Sequence, residues 1–88
     1  MSALSNLQDR LHRQVHSADQ TALTLTALID ELQDQRKIID SCFKTNHFQN
    51  DSELPVLLAL EDAALDLMKV RSSLNKAGMR ITAFIDRL

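Results

Sequence analysis

Glycine and proline occur once each among the 88 residues, and tryptophan and tyrosine not at all. A β-fold needs turn formers at regular intervals and favours aromatic residues in its strands. The chain offers one turn-like region, KTNHFQNDSELP, so all-α is the class that fits. Cys42 is alone, which removes any disulfide staple and suits a reducing compartment. The formal net charge is −2, with Lys and Arg scattered along the chain. That excludes the basic footprint of a nucleic-acid binder and weakens the case for an anionic membrane surface. No apolar run approaches the ~20 residues that span a bilayer. The start MSALSNLQDRLHR has no basic segment followed by an apolar run, so a soluble cytoplasmic protein without membrane insertion is expected.

What remains is a single helical domain over residues 1–88, short enough for its stability to be marginal. Leu4, Leu7, Leu11, Val15, Ala18, Ala22, Leu25, Ile29, Leu32, Ile39 and Phe43 recur at the three-four spacing of one helix face, interrupted at Arg36. Leu28, Ile38 and Cys42 widen that stripe. The spacing predicts helix one over about 3–45, with Asp9 and Arg13 placed as an i,i+4 pair. Ser17 and Gln20 have the spacing of a capping box, which leaves a break near Ser17 open. A connector follows at 46–51, and Asp51 or Ser52 would cap helix two over about 52–76, with Pro55 in its first turn. Gly78 either ends that helix, leaving a short third helical segment at 79–88, or is passed through at a cost of roughly 1 kcal/mol. The expected fold is an antiparallel helical hairpin.

Helix two raises a question of cover. Asp62, Asp66, Lys69 and Ser73 fall in one narrow wedge, and nearly all the rest of its circumference is apolar. An ordinary surface helix carries an apolar arc of somewhat over ~100°. Two arrangements satisfy so wide an arc: a bundle in which residues 3–16 and 18–45 cover two sides, or a second chain. The shortness of the chain favours the second. Leu57, Leu58, Leu60, Leu65, Leu67 and Met68 are the candidate partner-binding residues.

Chemistry is weakly represented. His12 and His16 stand at i,i+4, yet HRQVH lacks the glutamate of a metalloprotease helix and has no obvious third and fourth ligand. Two solvated histidines are expected, with no metal. Cys42 has no base nearby in sequence and reads as a buried packing residue. Asp62 and Asp66 belong to the solvated wedge. No phosphate loop can be built around a single glycine. A non-enzyme without cofactor is expected.

Two stretches carry a family likeness. Met1-Ser2-Ala3-Leu4-Ser5-Asn6-Leu7-Gln8-Asp9-Arg10-Leu11 and LLALEDAALDLMKVRS (57–72) resemble the opening and the second helix of small helical-hairpin subunits of type III secretion needle chaperones, the YscE/SsaE-like family. The connector around 44–53 is longer than the family's, and 71–88 extends past many members. The resemblance implies a cytoplasmic co-chaperone that packs on a larger tetratricopeptide-like chaperone and keeps the needle subunit monomeric. A self-assembling needle or rod-like subunit and a small homodimeric helical regulator or adaptor are the alternatives.

Overall fold

The computed structural model describes residues 2–45 and 53–88. Two helices, α1 (Ala3–Thr45) and α2 (Glu53–Arg87), pack along their length into an antiparallel hairpin. Among the described residues there is no strand. The molecule is a rod of 68 × 14 × 14 Å, close to the length that 43 helical residues give at about 1.5 Å each.

The chain enters α1 through a local cap. The Ser5 amide donates to the Ser2 Oγ at 3.1 Å, and the Asn6 amide to the Ser2 carbonyl at 3.2 Å. Helix N-termini leave their first amides unpaired, and a serine hydroxyl satisfies one of them. Helix α1 then runs without a break at Ser17. The hydroxyls of Thr21, Thr24 and Thr26 donate to the carbonyls of Ser17, Gln20 and Ala22. Bonding back one turn lets these residues sit inside a helix whose propensity they lower. Arg13 donates its Nε to the Asp9 carbonyl rather than pairing with the carboxylate. The connector and the proposed caps at Asp51 and Ser52 lie outside the described residues.

Helix α2 continues through Gly78 to Arg87, so the separate segment at 79–88 is not formed. The glycine is buried against α1, and a Cβ built there would meet nothing within 4 Å. Helical backbone with empty space at the Cβ position gains from alanine through propensity alone. Gly78→Ala should therefore stabilise the hairpin by about 1 kcal/mol, raising Tm by roughly 4–8 °C in a thermal melt followed by circular dichroism.

The seam has a regular beat. On α2, Leu57, Leu60, Ala64, Leu67, Arg71, Leu74, Gly78, Ile81 and Ile85 alternate three and four apart, and each is buried or half-buried. That is the heptad stripe of a two-stranded coiled coil. The matching positions on α1 run through Leu11, Val15, Ala18, Ala22, Leu25, Ile29, Leu32 and Ile39, with Arg36 exposed where the stripe is interrupted. Among the described residues, the apolar side chains below about a tenth exposure are Ala22, Ile29, Ala64 and Ile85, with Gly78 buried in the same stripe. The core is one side chain deep. The predicted polar wedge of Asp62, Asp66, Lys69 and Ser73 is fully on the solvent side.

Candidate interaction surface

Because the seam is narrow, the helices leave apolar residues on both flanks. Leu4, Leu7, Leu23, Leu28, Ile38, Leu54, Val56, Leu58, Leu65, Val70, Met79, Phe84 and Leu88 are each at least 40% exposed. The chain exposes 6823 Å². A compact protein of 9.9 kDa would expose about 5,200 Å²; the difference follows from the rod shape, which leaves both flanks open.

Cross-helix neighbours define the register and separate the flanks. The Arg71 Nη1 donates to the Thr26 Oγ1 at 3.0 Å. Val15 and Asp19 share a hollow of about 660 Å³ with Asn75, Gly78, Met79 and Asp86. Leu32, Gln33 and Arg36 share a smaller one, about 100 Å³, with Leu60, Glu61, Leu65 and Met68. These lie on one flank, which also carries the exposed Leu23, Leu54 and Leu58. It is net acidic: Asp9, Asp19, Asp30, Glu61 and Asp86 are exposed there, against Arg36 and Lys37. Lys44 on this side pairs with Asp40 at 2.9 Å.

The six sequence-selected residues divide between seam and flank. Leu57, Leu60 and Leu67 are half-buried on the seam with α1, and Met68 is half-buried at its edge. Leu58 and Leu65 stand nearly half exposed on the acidic flank. Sequence reasoning missed the second flank, where Val56, Val70 and Phe84 line up with Leu7 and Leu28. The seven-residue spacing of Val56, Ala63, Val70, Ala77 and Phe84 would have found it.

Cys42 corrects a sequence expectation: it is exposed, because the stripe it widens extends past the reach of α2. His12, His16, Asp62 and Asp66 are exposed as well. Among the described residues no group of three or more His, Cys, Asp or Glu is placed to hold a metal, and no helix is long and apolar enough to cross a membrane.

Fold and surface together define the class as a two-helix coiled-coil hairpin whose described residues expose apolar side chains on both flanks. Comparison with family models, curated proteins and solved structures found no match.

Proposed function

We propose that this is a non-catalytic, cytoplasmic binding protein that covers a helix of another chain with its acidic flank. The carrying observation is the row of Leu58, Leu65 and Met79, 48%, 47% and 73% exposed beside Asp19, Glu61 and Asp86. Apolar side chains bordered by carboxylates fit an amphipathic helix with an apolar stripe edged by Lys or Arg. A co-chaperone of the type III secretion needle kind is the reading that joins this surface to the sequence likeness in 1–11 and 57–72. Its partner would be a tetratricopeptide-like larger chaperone, with the needle subunit as client.

The test is co-expression with the larger chaperone of a needle system and native mass spectrometry of what co-purifies. The expected result is a discrete complex that Leu58→Asp with Leu65→Asp abolishes while the melting curve of the hairpin stays in place. Retention of the complex by that double variant would remove the acidic flank as the docking surface.

A further inference from the structure

The opposite flank carries a different pattern. Its helix-facing positions are Leu7, Gln14, Thr21 and Leu28 on α1, and Val56, Ala63, Val70, Ala77 and Phe84 on α2. None of them is charged. Charge is confined to the outer rim, and there it is segregated by sign. Arg71 stands beside Thr26 and Gly78 shares a hollow with Val15. Continuing that antiparallel register puts Arg10 and Arg87 at one level and Glu31 and Asp66 at another, about 30 Å along the rod. All four are exposed.

We infer that this flank binds a second copy of the chain, antiparallel, through a two-fold axis crossing the rod near Thr21 and Ala77. The axis is set by the residues themselves. A two-fold that stacks α1 on the α1 of the other copy, and α2 on its α2, brings Arg10 opposite Glu31 and Arg87 opposite Asp66. The same operation places Ser17 against Thr24, Thr21 against Thr21, Ala77 against Ala77 and Phe84 against Val70. Small residues fall at the centre, where the helices approach, and the aromatic ring meets a β-branched side chain. Arg10, Glu31, Asp66 and Arg87 each meet an opposite charge and Arg80 faces Ser73, so no like charges meet across this self-complementary surface. A parallel copy, related by a two-fold along the rod, would instead stack α1 on the α2 of the other copy and set Arg10 against Arg87.

The uncharged row of Leu7, Leu28, Val56, Val70 and Phe84 supplies the exposed apolar side chains that the centre of a dimer interface needs. The inference is independent of the hetero-partner reading, which uses the other flank, and the dimer would present two acidic flanks outward.

Sedimentation equilibrium of the full chain tests it. The expected mass is twice 9.9 kDa, with a Tm that rises with protein concentration. Arg10→Glu with Arg87→Glu should weaken association about tenfold or more without changing the helical signal, because both residues are exposed. Adding Glu31→Arg and Asp66→Arg should restore it. In a Cys42→Ser background, Thr21→Cys should form an interchain disulfide under mild oxidation, whereas wild-type Cys42, far from the axis, should not. A monomer across the micromolar range overturns the inference. So does a dimer that resists the charge reversal, that links through Cys42, or that is lost on Leu58→Asp with Leu65→Asp. That last outcome would place self-association on the acidic flank.

Discussion

Ile29→Asp should abolish the cooperative unfolding transition at 25 °C. Ile29 is 2% exposed, the most deeply buried of the core residues described. A carboxylate there loses its hydration among the apolar side chains of the seam, and Arg71, the cation of the α2 stripe, already donates to the Thr26 hydroxyl, so the cost is several kcal/mol. An 88-residue domain has a total stability of roughly 4–13 kcal/mol. With a core one side chain deep, this protein belongs at the low end of that range. The check is a urea titration followed at 222 nm, with Leu23→Asp as the control. Leu23 is 65% exposed, so the control should shift stability by no more than about 0.5 kcal/mol. Equal midpoints for Ile29→Asp and the wild type would mean that the seam is not where the hairpin is held.

Leu67→Asp and Leu65→Asp, two residues apart, should fail in different ways. Leu67 lies on the heptad seam and is half-buried against α1. A charge there should unfold the hairpin in the manner of Ile29→Asp, and partner capture would vanish only because the fold does. Leu65 is 47% exposed on the acidic flank. Its aspartate variant should melt within about 0.5 kcal/mol of the wild type, yet lose the helical partner, because an unpaired charge in a closed interface costs several kcal/mol. The measurement is a melt and a binding titration on each variant. Matching stability losses in the two variants would contradict the division between seam and flank.

This contrast marks how far the sequence could be read. The extent of helix one follows from its apolar recurrence, and the observed Ala3–Thr45 lies where the stripe predicts. Helix two was legible at its start but not at its end. Gly78 is compatible with a cap or with continuation, and α1 supplies the packing that carries the helix on to Arg87. Leu57, Leu58, Leu60, Leu65, Leu67 and Met68 share one property in sequence, apolarity on a wide arc. Which of them remain exposed depends on where a single neighbouring helix lies against that arc. Cys42 was misplaced for the same reason: a stripe widened beyond the seam leaves its outer members in water.

Composition and periodicity alone determine that the chain is helical, that it divides into two long helices, and that it carries more apolar surface than one helix pair hides. Those properties are local, set by the scarcity of Gly and Pro and by the three-four beat. The tertiary structure decided the partition of that surface into one buried seam and two exposed flanks, one net acidic and one whose rim charges are positive toward one end and negative toward the other. That partition depends on the register between α1 and α2, a relation between residues some forty-five positions apart. A helical period within either segment cannot encode it.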